Sequence, residues 1–188
     1  MGRGRANIED QIRTAIALSQ GLEILKNNKA KEIRAALDDL FKRFLNSISE
    51  TERNIQKAID QHSQKAEADD ELDALLMLVS FLLSFSSRTA TRERLNIFTT
   101  NYDRLIEFGA DLAGLHIIDR FIGYLDPIFR SSRLEIDMHY NPPGIRGEPR
   151  YLEGVIKLTK LHGSLDWVYK DGYVRKVGLP FGPSTSHS

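Results

Sequence analysis

The sequence predicts an α/β protein: a large N-terminal helical segment followed by a parallel sheet. Three observations predict it. Apolar residues in the first half recur every three or four positions, the period of a helix buried on one side. From Leu95 the pattern changes to short runs rich in Ile, Val, Phe and Thr, which favour strands. Two of those runs, Leu95 to Thr100 and Val155 to Leu161, each end in a polar cluster: Asn101-Tyr102-Asp103 and His162-Gly163-Ser164. Laid parallel in one sheet, they bring both clusters to the same edge, where open α/β sheets bind ligands. The stretch between them leaves room for a crossover with one helix.

Taken in order, Asn7 is suited to cap a first helix, with Glu9 and Asp10 in the turn where acids are favourable. Ile8, Ile12, Ile16, Leu22 and Leu25 give it a stripe, and Asn27-Asn28 ends it. A second helix carries Ile33, Leu37, Leu40, Phe41, Phe44, Leu45 and Ile48. It either continues through Ile55 and Ile59 or restarts at Ser47-Ile48-Ser49-Glu50, which reads as a capping box. Gln61 to Asp70 is polar and reads as a loop or frayed end. Asp69 or Asp70 then caps a third helix, Leu72 to Phe85, apolar on nearly every side and therefore expected to be the most buried of the three. After Leu95 to Thr100 comes a helix over Arg104 to Leu112, stopped at Gly114. A short strand is expected within Ile117 to Leu125, and a half-buried strand over Arg133 to Tyr140, where apolar residues alternate. Asn141 to Arg150, with three Pro and two Gly, is a loop. Asp171-Gly172 signals a two-residue hairpin between Leu165 to Tyr169 and Tyr173 to Val177. From Gly178 the composition offers little to bury. Four segments follow: a disordered start (1–6), a helical segment (7–90), a sheet-bearing core (91–177) and a flexible or truncated tail (178–188).

A chain of 188 residues fits one domain, or one with an insertion, and can bury roughly 70% of its unfolded surface. Lys plus Arg and Asp plus Glu number 26 each, so no net field draws the chain to nucleic acid or an anionic membrane. There is no Cys, which excludes disulfides and Cys-ligated zinc and fits a reducing cytoplasm. The longest uncharged run, Ala74 to Ser87, is too short to span a bilayer. Met-Gly-Arg-Gly-Arg leads into no apolar segment, so no signal peptide is read there.

The two clusters contain capable chemistry. A strand stopping at Thr100 before a helix turns its side chains toward a crevice, with the positive end of the helix behind them. Asn101 brings a carboxamide that donates and accepts; Asp103 brings an acceptor-only carboxylate. The plainer alternative is that Asn101 or Asp103 only caps the helix. His162, at a strand end before a Gly-Ser turn, is placed for general-base work on water or a hydroxyl. Gly163 allows a sharp turn, and Ser164 can bond back or reach a ligand. His62, His116, His139 and His187 read as structural.

Together these residues resemble the sirtuin superfamily, whose catalytic domain has a Thr-Gln-Asn-Ile-Asp motif after one strand and Leu-His-Gly after a later one. Thr99-Thr100-Asn101-Tyr102-Asp103 is similar to the first and Leu161-His162-Gly163 to the second. The Thr-Asn-Tyr-Asp form, followed by Lys160-Leu161-His162-Gly163-Ser164-Leu165-Asp166-Trp167, resembles the divergent bacterial branch: sirtuin-like NAD hydrolases of anti-phage defence. So does Asn7-Ile8-Glu9-Asp10 opening the helical region. The resemblance, over about Asn7 to Tyr169, implies a Rossmann-like sheet of the sirtuin type that is incomplete here. It implies NAD as substrate, bound by Thr99, Thr100, Asn101, Tyr102, Asp103, Gly163 and Ser164. Asn101 would contact the nicotinamide-side ribose, Asp103 the carboxamide, and His162 would act as base or orienting group; His162 and Asn101 are the catalytic pair. It implies a homo-oligomer, with an ATPase partner or a phage-protein trigger. The chain departs from the family in two places: no Gly-Ala-Gly-type phosphate loop precedes the helices, and the elements that hold the adenosine half do not follow Tyr169. A chain truncated at both ends is the corresponding expectation. The four zinc-binding Cys of deacylating sirtuins are absent, so no zinc is expected and hydrolysis is favoured over deacylation. NAD-dependent deacylase, and a non-catalytic remnant or oligomerisation module, stand as the alternatives.

Overall fold

A polar turn at residues 25–28 ends one helix and starts the next. Helix α1 covers Ile8–Ile24 and α2 covers Lys29–His62. Lys26 takes a left-handed conformation (φ 51°). The Asn27 N–H reaches back to the Leu22 carbonyl at 2.9 Å, and the Asn27 side chain accepts from the Lys29 N–H at 3.0 Å. One asparagine thus terminates α1 and caps α2. The computed structural model describes residues 8–62, 70–86, 94–132, 136–140 and 150–182. The expected Asn7 cap lies outside them. The chain forms two compact units, residues 1–47 and 48–188, and α2 contributes to both.

In the first unit Ser19, Ala30 and Leu37 are buried, and Arg34 pairs with Glu23 at 2.5 Å. Ile24 and Leu25 are exposed; the stripe outruns the packing where the helix turns. The capping-box restart at Ser47 does not occur. α2 is uninterrupted there, because Ile48, Ile55 and Ile59 hold the helical period past Asn46.

In the second unit, helix α3 spans Asp70–Ser86. It buries Leu72, Leu75 and Leu82 but leaves Leu76, Met77, Phe81, Leu83 and Phe85 exposed. Its burial, the highest proportion among the first three helices, comes from one face, where α4 meets it. The loop expected up to Asp70 lies mostly outside the described residues.

Strand β1 (Leu95–Thr99) leads to α4 (Leu105–Leu112), which ends at Ala113 before Gly114, and then to β2 (His116–Ile118). Strands β3 (Phe121–Ile122), β4 (Ile128–Phe129), β5 (His139–Tyr140) and β6 (Arg150–Tyr151) are short. Strand β7 is Val155–Lys160, followed by β8 (Trp167–Lys170) and β9 (Tyr173–Lys176). Strands β1, β7 and β2 form a parallel sheet in the order β1-β7-β2. The protein is thus mixed α/β, with a three-stranded parallel sheet. Leu95 pairs with Ile156 and Thr99 with Lys160, so Leu95, Ile97 and Thr99 share a face with Ile156, Leu158 and Lys160. That face joins Leu82 and Ala110 in the core, packed round by Leu78, Ile106, Leu115 and Ile117.

A four-stranded antiparallel sheet has the order β3-β4-β9-β8. Asp171 (φ 54°) and Gly172 (φ 81°) join β8 to β9, the two positive φ values that a tight hairpin of this twist needs. Phe121, Phe129 and Trp167 cluster within it, with ring centroids 4.9–5.9 Å apart. The segment Ile117 to Leu125 divides between β2 and β3, and Tyr124 and Leu125 are fully exposed.

The strand expected over Arg133 to Tyr140 reduces, among the described residues, to β5 paired with β6. At residues 137–138 a side chain adds partners to the backbone bond from the Leu152 N–H to the Met138 carbonyl. Arg94 donates to Asp137 Oδ1 (2.8 Å), to the Met138 carbonyl (2.9 Å) and to the Leu152 carbonyl. The loop expected from Asn141 lies outside the described residues up to 149. Beyond Gly178 the chain is held rather than loose as far as Gly182. Phe181 stacks on Phe108 at 3.9 Å, and Arg104 holds the Leu179 and Pro180 carbonyls. No helix among the described residues is long and apolar enough to cross a membrane.

Candidate functional site

Parallel in-register pairing makes β1 and β7 stop side by side, and hydrogen bonds carry the pairing past the strand ends. The Leu161 N–H donates to the Thr99 carbonyl at 2.9 Å, and the Leu165 N–H to the Tyr102 carbonyl at 2.9 Å. The turns at 100–103 and 161–164 are thereby laid against each other. All eight residues expected in the site, His162 included, fall on these two turns or the last residue of β1.

Their surroundings differ. Thr99 is half-buried and its Oγ1 accepts from the Asn101 N–H at 3.1 Å. Thr100 and Asn101 are exposed, so the Asn101 carboxamide faces solvent. Tyr102 is half-buried, with its ring 6.2 Å from the exposed His162 ring. Asp103 Oδ1 accepts from the Leu105 N–H at 3.2 Å, one residue ahead of the N-cap position, which is Arg104. Gly163 sits at φ +99°, a conformation that L side chains resist. Ser164 bonds back. It is buried, accepts from Lys160 Nζ at 3.0 Å and donates to the Tyr102 carbonyl at 3.4 Å.

Two buried ion pairs that sequence reading missed stand behind the turns. Lys160, only 3% exposed in its side chain, meets Glu107 Oε1 at 2.9 Å and also donates to the Asp103 carbonyl. Burial pushes the Glu107 carboxyl above its ordinary value, against the opposing charge and hydrogen bond of Lys160. Glu107 Oε2 is buried and has no hydrogen-bond partner among the described residues. Next to Asp103, Arg104 forms a two-pronged pair with Glu52, at 3.1 Å to Oε1 and 2.5 Å to Oε2, and its N–H also donates to Oε1. Glu52 therefore sits at the positive end of α4. The available signal was position: Lys160 ends the β7 register and alternates onto the core face, where a lysine needs a counter-charge.

A cavity of about 200 Å³ opens on the β2 side of the same strand end, walled by Glu107, Lys160, Leu161, Phe121, Trp167 and Lys176 among others. Burial works against the Lys176 ammonium, but Asp119 at 3.0 Å holds its pKa above the ordinary value. Among the described residues no group of three or more His, Asp or Glu is arranged to hold a metal ion. The chemistry available at the turns is a solvent-facing carboxamide, an imidazole beside an aromatic ring, and a carboxylate with one oxygen committed to a helix. No model of a known protein family matches the chain, and no curated protein matches it.

Proposed function

We propose that the protein is a sirtuin-like domain with a Rossmann-like sheet that hydrolyses NAD to ADP-ribose and nicotinamide, serving anti-phage defence by NAD depletion. The observation that carries this reading is the in-register pairing of β1 with β7. It unites a Thr-Thr-Asn-Tyr-Asp turn and a His-Gly-Ser turn, which lie far apart in sequence and whose motifs are specific only jointly. The reaction breaks the N-glycosidic bond, whose electron pair leaves with neutral nicotinamide, and forms a bond from water oxygen to the anomeric carbon. A proton is released. His162, exposed at the turn, is the group to accept that proton. Asn101 and Asp103 offer the amide and carboxylate that hold ribose hydroxyls and the nicotinamide carboxamide, fixing the reacting atoms in line.

The test is conversion of NAD by the purified protein, followed by chromatography of ADP-ribose and nicotinamide. His162→Ala and Asn101→Ala are each expected to lower turnover by about 100-fold or more while the fold, checked by circular dichroism, is retained. Wild-type turnover in both variants would remove the site assignment. Absence of turnover and of NAD binding in the wild-type protein would remove the reading itself.

A further inference from the structure

We propose that Lys160 is a positioning residue that clamps the two strand-end turns together, with Glu107 as its buried counter-ion. The inference rests on the reading of those turns as the ligand site. An ammonium has three N–H donors. Lys160 has three acceptors: the Asp103 carbonyl on the first turn, Ser164 Oγ on the second at 3.0 Å, and Glu107 Oε1 on α4 at 2.9 Å. Each donor has one partner, and the side chain is 3% exposed. It therefore offers nothing to a phosphate or a substrate, and a direct binding role is excluded by its own saturation.

What the lysine does is mechanical. Without it, the turns lose three side-chain bonds and keep among others the backbone bonds from Leu161 and Leu165, the long 3.4 Å bond from Ser164 to the Tyr102 carbonyl and the Tyr102–His162 ring contact. Ser164 is the middle member of a relay, since the lysine that fixes its oxygen directs its hydroxyl hydrogen to the first turn. Glu107 has a separate task. It neutralises the cation so that Lys160 can sit out of water, although its own Oε2 has no hydrogen-bond partner among the described residues.

The two tasks separate by mutation. Lys160→Met alone strands a buried carboxyl and lowers stability. Lys160→Met with Glu107→Met replaces the ion pair by apolar side chains of similar size, a change often neutral for stability, yet it restores no bond to Asp103 or Ser164. The experiment compares wild type, the single variant and the double variant in three measurements: thermal unfolding, amide hydrogen exchange at Leu165, and the proton resonance of the His162 ring. The kcat and KM for NAD are measured alongside. In the double variant the thermal midpoint returns toward wild type. Leu165 nevertheless exchanges at least roughly tenfold faster, the His162 resonance shifts, and kcat falls about 100-fold with KM little changed, the scale expected for small misplacement of reacting groups. Unchanged Leu165 exchange and His162 resonance in the double variant overturn the proposal, as does loosened exchange with full kcat. If the wild-type protein does not cleave NAD, the functional reading falls, while exchange and the His162 resonance still decide the clamp.

Discussion

Glu52 lies in Thr51-Glu52-Arg53, a polar stretch of α2, yet it is fully buried. The reason is its partner. Arg104 presents a planar fork that matches a carboxylate, and the Arg104 N–H adds a third bond to the same group. Such a pair costs much desolvation, and its removal is asymmetric. Glu52→Ala leaves a guanidinium in an enclosed site and is expected to cost about 3–5 kcal/mol, read as a lower urea midpoint at unchanged slope. Glu52→Met with Arg104→Met is expected to recover most of that loss. A single variant within about 0.5 kcal/mol of wild type would show that water reaches the pair. Because Arg104 follows Asp103 directly, the same pair fixes the start of α4 and hence the turn that bears the candidate site.

Elements were legible where local chemistry decides them. Asp171-Gly172 specifies its hairpin through backbone sterics alone. The Asn27 turn is local too, and the parallel β1–β7 pairing follows from two strands flanking a helical crossover. Long-range partnership was not legible. The alternation at 133–140 cannot reveal that Arg94 takes the carbonyl of Met138, nor can the apolar girth of α3 reveal that one face stays exposed. The site divides the same way. The exposed members announce themselves as polar groups at strand ends, whereas Lys160 and Glu107 are ordinary charges until the register places them together. The segment after Gly178 looks empty because it has one aromatic, Phe181, and that residue does the anchoring. Phe181→Ala is expected to lower stability by about 1–2 kcal/mol, combining lost stacking with lost burial. Limited proteolysis should then cut near Leu179 first. Equal resistance of the variant and wild type would show that the Arg104 bonds alone hold the segment.

At the scale of the whole molecule, acidic and basic side chains balance at 26 each, so general charge repulsion contributes little near neutrality. Among the described residues, two carboxyls pull the pH dependence of stability in opposite directions. Burial works against the Asp137 carboxylate, but the Met138 N–H and Arg94 overcome it and hold its pKa below the ordinary value of 3.8. Its contribution is present above that value and is lost as pH falls through the depressed folded pKa. Glu107 is shifted the other way, above 4.5, chiefly by burial. The folded state therefore takes up its proton before the unfolded chain does, and stability rises as pH falls from the raised folded pKa toward 4.5. The two contributions separate in urea titrations across acid pH. Asp137→Asn is expected to be less stable than wild type at neutral pH, with the gap closing only in strong acid. With Glu107→Gln, the stability relative to wild type is expected to fall as pH drops through the raised range. The slopes decide, since each substitution also changes packing by a pH-independent amount. Parallel curves for Glu107→Gln and wild type would mean that water solvates Glu107 Oε2, and the partnerless oxygen behind the strand ends would lose its energetic meaning.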